Sequence, residues 1–464
     1  MQELLENILD EIKPELDETK DLKETCENLR EFARQYAEEY EYEPLFCGSI
    51  AKDTWLRSKK DIDMFLLFDE ELDMEELEEK GMKAGKRIIE ELGGEWRVGY
   101  AEHPYVQGEV DGHEVDIVPA YDTDPDDIKS SVDRTPWHVK WVEENLDEEQ
   151  RDHVRLLKKF TKEHGLYGSD LKTKGFSGYL CEILIAEYGS FDEVLKEVKD
   201  WYPGKVIDPE SHFKSEDYLK RDKFEGDVLI VVDPVDKDRN VASVLSYENF
   251  FLFKKKVKEF VEDPSIDKFF GKKYEALSLR ELQQEIDRRG TDFMLIKFEA
   301  PDIHDDVLYP QMQKMNRRIE EILDDEGFEV LRKDVWSDNE TCVLILELEV
   351  DELPRIDKRE GPPIFDKRNS KKFIEKYGGE HNLLVKDEQW YAEYFREWTT
   401  ALDFVKDLLH DDANTLQEEG VPRHLAEKVS EGLTIATGDH SVHIFREKEG
   451  LRKKMAEYFD KDLA

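Results

Sequence analysis

Three aspartates occupy positions where buried β-strands normally carry apolar side chains. Asp61 and Asp63 are two residues apart in the strand-like segment DIDMFLLF, so they project from the same face. Asp116 lies in EVDIV, a second strand-like segment. An ionised carboxylate removed from water is costly unless it is paired or binds a metal ion. Three converging carboxylates therefore predict an all-oxygen site suited to Mg²⁺.

The chemistry that such a site supports is phosphoryl transfer. Two Mg²⁺ ions about 3.5–4 Å apart can stabilise the attacking and the leaving oxygen of an in-line displacement. Gly48 and Ser49 open a predicted helical turn, where backbone N–H groups and a hydroxyl can bind the phosphates of a nucleotide. A lone Gly-Ser or Asp-x-Asp pair usually lies on the protein surface or in a turn. The spacing of eleven residues between Ser49 and Asp61, with Asp116 downstream, makes the combination specific.

The elements predicted around these residues form an α+β block that ends near residue 140. Helical periodicity covers residues 1–40 and is interrupted at Pro14. After it the pattern predicts strands at 43–47 and 61–68, a helix over 74–92, and strands at 96–106 and 108–118, the last ended by Pro119.

The rest of the chain divides into a helical part and a second α+β part. Helices are predicted over 143–199 and 241–282, with a strand at 228–232 between them. Next come a strand at 293–298, a helix at 309–323 and strands at 328–332 and 343–350, a β-α-β-β order used by ferredoxin-like and RNA-recognition sheets. The remainder is predicted to be mostly helical, since aromatic residues recur at helical spacing at Trp390, Tyr391, Tyr394, Phe395 and Trp398.

Longer motifs add a family resemblance. GSIAKDTWLRSKKDIDMFLLF resembles the nucleotidyltransferase signature of the polymerase-β superfamily, in the version found in archaeal-type (class I) CCA-adding enzymes, which are tRNA nucleotidyltransferases. Four later segments resemble that family in the same order: YAEHPYVQGEVDGHEVDIVPAY, SSVDRTPWHVKW, RLLKKFTKEHGLYGSDLKTKGFSGYLCEILI and VVDPVDKDRNVA. The resemblance implies an α+β multidomain protein. Its expected parts are a polymerase-β-like nucleotidyltransferase head at 1–142, a helical central nucleotide- and RNA-binding domain at 143–285, and a ferredoxin/RRM-like C-terminal unit with a helical tail at 286–464.

The resemblance also implies roles for single residues. Asp61, Asp63 and Asp116 match the catalytic triad that binds two Mg²⁺ ions; the first is often Glu in relatives. The nucleotide-binding positions implied by the same motifs are Ser49, Lys52, Thr135, His138, Lys158, Tyr167 and Arg239. Ser49 and Lys52 match phosphate contacts, with Lys in place of the Arg of some relatives, and Arg239 matches a residue that helps to read the incoming base.

Four of the nucleotide-binding assignments have a structural alternative. Lys158 lies in a basic helix stripe that can simply face solvent, and His138 can be a structural histidine. Tyr167, beside two glycines, can be a packing residue. Arg239 follows three aspartates and can form a local ion pair worth ~0–1 kcal/mol.

The function implied by the resemblance is addition or repair of the 3′-terminal CCA of tRNA from CTP and ATP, without a nucleic-acid template and with release of pyrophosphate. The implied partners are the tRNA acceptor end, CTP, ATP and a second copy of the chain. A poly(A) polymerase-like enzyme and a non-catalytic tRNA-binding protein are the alternatives. Basic residues that can contact tRNA or simply face solvent are Lys297, Arg317, Arg318, Lys367, Arg368, Lys371 and Lys372.

The amino-acid composition, in contrast, argues against a nucleic-acid partner. The 464 residues include 113 Asp and Glu against 68 Lys and Arg, a formal net charge of −45. On charge alone nucleic acid is an unexpected partner, because phosphate contacts need Lys and Arg. An acidic surplus of this size is typical of proteins that stay soluble in concentrated salt. We therefore expect moderate salt adaptation, with positive side chains confined to a local cleft.

Cysteine use and hydropathy favour a cytoplasmic location. Cys26, Cys47, Cys181 and Cys342 are scattered without a Cys-x-x-Cys pair, as in proteins of a reducing compartment. No segment approaches the ~20 apolar residues of a membrane span. The acidic, amphipathic N-terminus fits neither a signal peptide nor a transit peptide.

Overall fold

The computed structural model describes residues 1–57, 61–100, 103–125, 127–379 and 381–461. The chain forms two compact units, Met1–Lys272 and the part that begins at Lys273. The three-domain division predicted from sequence is finer than this and stays a prediction.

The first unit combines a five-stranded sheet with a helical half. Its helices are α1 (Gln2–Ile12), α2 (Leu16–Tyr40), α3 (Gly48–Ala51), α4 (Met74–Glu91), α5 (Arg134–Asn145), α6 (Glu148–Glu163), α7 (Gly178–Tyr188), α8 (Phe191–Val198), α9 (Glu216–Tyr218), α10 (Tyr247–Glu262) and α11 (Ile266–Phe270). Its strands are β1 (Tyr42–Cys47), β2 (Asp61–Asp69), β3 (Glu95–Tyr100), β4 (Pro104–Val110), β5 (His113–Asp122), β6 (Lys205–Ile207) and β7 (Leu229–Val231).

The five-stranded sheet has the order β1-β2-β5-β4-β3, and only β2 and β5 are parallel within it. Alternate residues of β2, among them Ile62, Met64 and Leu66, are buried in one core with apolar residues of α2 and α4. Because side chains alternate along a strand, Asp61 and Asp63 lie on the opposite face. The hydrophobic pattern of β2 thus determines which face carries the carboxylates.

The strand prediction for residues 96–118 is wrong, because three strands occupy the region instead of two. β4 and β5 meet at Asp111 and Gly112, whose φ angles of 52° and 77° suit a tight Asp-Gly hairpin. β5 also continues through Pro119 instead of ending there. Its pairing with β4 reaches only to Ile117, so the proline lies where β5 has a neighbour on one side, as at a sheet edge.

The helical half of the first unit has its own apolar core, as the sequence predicts. Apolar residues of α6, α7, α8 and α10 pack together, and α7 is buried on most of its surface. Phe160 lies at the centre of an aromatic cluster, with ring centroids of Phe191 and Phe269 at 5.9 and 5.6 Å. This rigid packing supports the polar side chains that α6 and α7 carry on one side.

The second unit contains two further sheets. Its helices are α12 (Leu279–Arg289), α13 (Asp305–Glu326), α14 (Lys367–Tyr377), α15 (Ala401–Leu409), α16 (Ala413–Glu418), α17 (Arg423–Glu431), α18 (Ser441–Glu447) and α19 (Glu449–Asp460). Its strands are β8 (Asp292–Glu299), β9 (Val330–Ser337), β10 (Thr341–Leu348), β11 (Ile356–Pro363), β12 (Asn382–Lys386), β13 (Gln389–Phe395) and β14 (Leu433–Thr437).

The predicted β-α-β-β unit is confirmed and is completed by a late strand. The antiparallel sheet has the order β14-β8-β10-β9, which is the strand order of a ferredoxin-like sheet. β14 follows three helices and pairs with β8 from Leu433 opposite Phe298 to Thr437 opposite Met294. Together with the five-stranded sheet of the first unit, this sheet gives the α+β multidomain architecture expected from sequence.

Both faces of this sheet are covered by helices. On one face, Met294, Ile296 and Leu344 lie in a core with residues of α13, α15 and α17. On the other, Leu295 and Val343 are fully buried with residues of α12, α18 and α19. The central strands therefore offer no open surface for stacking bases, in contrast to sheets that bind RNA through exposed aromatic residues.

The prediction of a mostly helical remainder is wrong for residues 356–395. This region forms a separate sheet of order β11-β13-β12, with α14 between β11 and β12. The aromatic run from Trp390 to Phe395 lies in β13, its central strand. Aromatic side chains favour strands, and the Asp387-Glu388 turn, with φ angles of 48° and 66°, closes the β12–β13 hairpin.

No helix within the described ranges is both long and apolar enough to cross a lipid bilayer. The four cysteines are buried and form no disulfide bond.

Candidate active site

A single row of residues crosses all five strands of the first sheet. Cys47 of β1 lies opposite Asp63 of β2, and Asp63 lies opposite Asp116 of β5. Asp116 in turn lies opposite Gln107 of β4, which lies opposite Arg97 of β3. Directly opposed residues project from the same face of a sheet. The two central carboxylates are therefore neighbours, between an apolar thiol and a polar pair.

Asp61 extends this acidic face by one position. It lies two residues before Asp63 on β2 and opposite Glu114 of β5. Because the side-chain period of a strand is two residues, all three predicted aspartates share the face. The structure thus brings together the three carboxylates that the sequence singled out.

Gly48 makes the close approach of the chain to Asp63 possible. It directly follows β1 with a φ of 68°, a left-handed conformation that glycine adopts without strain. A Cβ atom at this position would lie 1.7 Å from Oδ2 of Asp63. The backbone at the start of α3 therefore lies directly against the carboxylate.

Asp116 is held by a short polar chain. The amide nitrogen of Gln107 donates to its Oδ1 at 3.0 Å, and Nε of Arg97 donates to the Gln107 carbonyl oxygen at 3.2 Å. Burial raises the pKa of Asp116, and the charges of Asp61 and Glu114 add to the rise, while the Gln107 hydrogen bond opposes it. The carboxylate is thus oriented by neutral and cationic donors in an acidic surrounding.

The donor chemistry of this face fits Mg²⁺, which prefers carboxylate oxygens and keeps several waters. Burial is the main cause of the raised pKa of Asp116, and the charges of Asp61 and Glu114 add to it; a bound cation would favour the ionised carboxylate against both. As the side chains stand, no group of three or more His, Cys, Asp or Glu among the described residues is arranged to hold a metal ion. The metal site therefore stays a prediction supported by residue type and register.

Two lysines predicted to bind nucleotide share one buried carboxylate. Nζ of Lys52 donates to Oε2 of Glu182 at 2.6 Å, and Nζ of Lys158 donates to Oε1 at 2.7 Å. The Thr54 hydroxyl donates to Oε1 as well, at 2.6 Å. Burial alone would raise the pKa of Glu182, but the two lysines outweigh it and lower the pKa to about 2. The Glu182 carboxylate is therefore ionised, and its negative charge is balanced by the neighbouring lysines.

The solvent-facing alternative for Lys158 is wrong. Arg155 and Lys158 are both 2% exposed, because α6 turns them toward the loop that follows α3. The Arg155 guanidinium donates to the carbonyl oxygens of Asp53 and Trp55 at 2.7 and 3.0 Å. It thereby attaches the loop that carries Thr54 to α6.

Tyr167 and Lys158 meet at a glycine. A Cβ atom at Gly178 would lie 2.9 Å from the Tyr167 hydroxyl and 3.4 Å from Nζ of Lys158. Burial raises the pKa of Tyr167, so the hydroxyl keeps its proton and can donate a hydrogen bond at neutral pH. The negative charges of Glu182 and Asp61 add to the rise in its pKa.

His138 and Arg239 share a second buried carboxylate, that of Asp233. One ring nitrogen of His138 lies 3.0 Å from Oδ2, and the Arg239 guanidinium donates to the same oxygen at 2.7 Å. The His138 ring stacks on Tyr179 with a centroid distance of 3.9 Å. Burial lowers the pKa of His138, so the imidazole is neutral near pH 7.

The ion-pair alternative for Arg239 is thus correct as a contact, although only one of the three nearby aspartates forms it. Asp236 instead pairs with Arg134 at 3.0 Å. Arg239 remains 35% exposed, so its guanidinium can still reach a ligand. The remaining predicted residues, Thr135 in the first turn of α5 and Ser49 in α3, are partly buried.

Three models of known protein families match consecutive parts of the chain. The nucleotidyltransferase domain model matches residues 26–138, the second domain of tRNA nucleotidyltransferases matches 152–270, and the C-terminal domain of CCA-adding enzymes matches 289–438. A CCA-adding enzyme of Methanocaldococcus jannaschii is 40% identical over 451 residues, covering 96% of this chain and 97% of that protein. The chain belongs to the CCA-adding enzyme family.

Other CCA-adding enzymes match along most of their length. That of Archaeoglobus fulgidus is 38% identical over 440 residues, 95% of each chain. That of Halobacterium salinarum is 36% identical over 402 residues, 86% of this chain and 83% of that protein. The family resemblance stated from the motifs is confirmed, and the five-stranded sheet lies in the part matched by the nucleotidyltransferase model.

Sequence reasoning missed the residues that hold the predicted ones in place. Glu182 and Gln107 each hydrogen-bond at least one of them. Asp233 was expected only as one of three aspartates near Arg239, and its contact with His138 was not expected. Glu182 gave a local signal, since a glutamate amid the apolar run YLCEILI is poorly suited to packing. Its partner Lys52 is 130 residues away, so the sequence could not show the pairing.

Proposed function

We propose that this member of the CCA-adding family completes the 3′ end of tRNA with CTP and ATP on the acidic face of the first sheet. The terminal ribose hydroxyl of the tRNA attacks the α-phosphorus of the nucleotide, and pyrophosphate leaves. The observation behind this assignment is the register that places Asp63 opposite Asp116, with Asp61 on the same face.

In this proposal the aspartates hold two Mg²⁺ ions. Such ions, when bound, activate the attacking hydroxyl and neutralise charge on the triphosphate. Asp116, held by Gln107, would lie nearest the attacking hydroxyl, and Asp61 and Asp63 would help to hold the ions. Orientation of Asp116 matters because misplacement by 1 Å can cost about 10²-fold in rate.

The nucleotide lies against the helical side of the site. Ser49, Lys52, Lys158 and Tyr167 contact the phosphates, and this assignment is supported by the cluster that joins Lys52, Lys158 and Tyr167 around Glu182 and Gly178. Thr135 and His138 contact phosphate or ribose. Arg239 helps to read the base from its partly exposed position beside Asp233. A homodimer, a cytoplasmic location and moderate salt adaptation remain part of the proposal.

Removal of single carboxylates tests the assignment of the acidic face. We expect Asp63→Ala and Asp116→Ala each to lower nucleotide addition at least about 10³-fold while tRNA binding persists, because a two-metal site loses a ligand. The measurement is single-turnover addition of labelled CTP with excess enzyme, alongside the dissociation constant for tRNA.

A matched control lies at the other end of the same strand. Asp122 is the exposed last residue of β5, six residues beyond Asp116, so Asp122→Ala should keep normal rates. Normal addition by Asp63→Ala or Asp116→Ala would refute the assignment.

A further inference from the structure

Glu182 is an acidic residue in the middle of a buried helix. Its side chain is completely inaccessible to solvent, and it lies in α7, whose first residues adjoin Lys158 and Tyr167. Oε2 accepts from Lys52 at 2.6 Å, whereas Oε1 accepts from Lys158 at 2.7 Å and from Thr54 at 2.6 Å. Each carboxylate oxygen is therefore assigned to a different lysine.

With both lysines protonated, the cluster of Glu182, Lys52 and Lys158 carries an excess of one positive charge. Two buried ammonium groups repel each other, and a carboxylate between them allows both to remain in one place. Each ammonium group has three N–H donors. Nζ of Lys158 directs its donors to Oε1 of Glu182 and to the hydroxyl and carbonyl oxygens of Thr54, at 2.7, 2.8 and 3.4 Å, so Lys158 acts on an anion through its charge. Lys52 is the more accessible, with 8% of its surface exposed against 2% for Lys158.

The same geometry suits a polyphosphate. An anion that reaches Lys52 meets a donor already oriented by Oε2 of Glu182, and it gains the attraction of Lys158 behind it. Without the carboxylate, Lys52 would lose the partner that fixes its side chain, and the two positive charges would face each other directly.

We infer that Glu182 is a positioning residue for the triphosphate: its buried carboxylate holds Lys52 and Lys158 side by side so that both act on the phosphates of the incoming nucleotide. This inference rests on the proposed function, in which the two lysines contact phosphate. It adds a residue that does not touch the substrate and whose removal should weaken phosphate binding for CTP and ATP alike.

The inference has a pH signature. The titratable groups that face Lys158 are Glu182 and Cys181 on α7, Lys52 after α3, and Tyr167. Burial lowers the pKa of Lys158, the charge of Glu182 raises it, and Lys52 lowers it further. Replacing Glu182 by glutamine removes the opposing contribution, so a lysine should lose its proton as pH rises and phosphate affinity should fall.

The experiment compares Glu182→Gln, Glu182→Asp and a matched control, Glu187→Gln, whose glutamate is exposed on the same helix. KM values for CTP and ATP, inhibition by pyrophosphate and the dissociation constant for tRNA are measured from pH 6 to 9. Melting temperatures identify variants that do not fold. If Glu182→Gln does not fold, Glu182→Asp carries the test, because the shorter side chain can reach one lysine but not both.

We expect Glu182→Gln to raise both KM values at least tenfold at pH 8.5 and to weaken pyrophosphate inhibition by a similar factor. Most of the loss should be recovered at pH 6, with tRNA affinity unchanged. Glu182→Asp should raise KM at least threefold, and Glu187→Gln less than twofold. KM within twofold of wild type at pH 8.5, or a defect independent of pH, would overturn the inference.

Lys52→Met separates this inference from the proposal on which it rests. If Lys52→Met leaves KM for CTP unchanged, the assignment of Lys52 to the phosphates fails. If Lys52→Met raises KM and Glu182→Gln does not, the assignment of Lys52 stands and the positioning role of Glu182 is refuted.

Discussion

Two buried carboxylates of the first unit each lie between two basic side chains. Glu182 lies between Lys52 and Lys158, and Asp233 lies between His138 and Arg239. Family motifs identified the lysines, the histidine and the arginine, and the local pairing of Arg239 with a nearby aspartate was expected from their spacing. Glu182 and the contact of His138 with Asp233 were not expected, because these pairings join residues 130 and 95 positions apart. Asp61 and Asp63, in contrast, are recognisable from their spacing on one strand.

Gly48→Ala tests the close approach at the acidic face. The added Cβ would lie 1.7 Å from Oδ2 of Asp63, so the carboxylate must move. A displacement near 1 Å can cost about 10²-fold in rate, and we expect a loss of that size in CTP addition. The initial rate and the melting temperature are measured together.

The control for Gly48→Ala is Gly93→Ala. Gly93 also has a positive φ, 73°, but a Cβ there meets no atom within 4 Å. Both variants should lose about 1 kcal/mol of stability from the strained backbone, and only Gly48→Ala should lose activity. Equal activity of the two variants would contradict the role given to this contact.

At the scale of elements, prediction from sequence succeeded where the signal was local. The β-α-β-β order was found, because each element has its own hydrophobic period. β14 was missed because it joins β8 from more than 130 residues along the chain. The β12–β13 hairpin was missed because aromatic residues at 390–398 fit helical spacing, while the tight turn before them was overlooked. The covered faces of the ferredoxin-like sheet could not be predicted, since they depend on how α12, α18 and α19 pack.

Glu347→Gln tests what holds α12 and α19 on one face of the ferredoxin-like sheet. The Glu347 carboxylate on β10 is fully buried. It accepts from Arg289, the last residue of α12, at 2.5 and 3.0 Å, from Thr291 at 2.6 Å and from Tyr458 of α19 at 2.7 Å. Loss of a fully buried ion pair costs about 3–5 kcal/mol, and partial exposure of Arg289 reduces this, so we expect about 2–3 kcal/mol. Thermal or chemical unfolding of the full chain measures it.

Glu349→Gln is the matched control, because Glu349 is exposed just after the same strand. It should change stability by less than about 0.5 kcal/mol. Similar losses in the two variants would show that the buried network does not hold α12 and α19 on the sheet.

At the scale of the whole molecule, the net charge of −45 and the family assignment have to be reconciled. The inferred phosphate site carries positive charge locally, since Lys52 and Lys158 share one carboxylate. The acidic surplus is a property of the whole composition, and the moderate salt adaptation proposed above would account for it. The total charge alone therefore gave the wrong expectation about nucleic acid, because binding depends on the charge at the binding site.

Salt dependence of tRNA binding tests this view of the charge. Because high salt screens repulsion between an acidic surface and RNA, we expect the dissociation constant to change less than about threefold between 0.1 and 1 M KCl, or to fall. The measurement is equilibrium binding at constant Mg²⁺ concentration. A loss of binding with a log–log slope of about −6 or steeper would contradict the expectation and support the simple charge argument.

The most direct test of the account is nucleotide addition to tRNA that lacks its terminal CCA, with labelled CTP or ATP supplied singly and then together. We expect CTP alone to add two residues and stop, ATP alone to add one residue to tRNA ending in CC, and both together to complete the end. Long adenylate tails from ATP alone would indicate a poly(A) polymerase-like enzyme, and no addition at all would indicate a non-catalytic tRNA-binding protein. Either result would contradict the account.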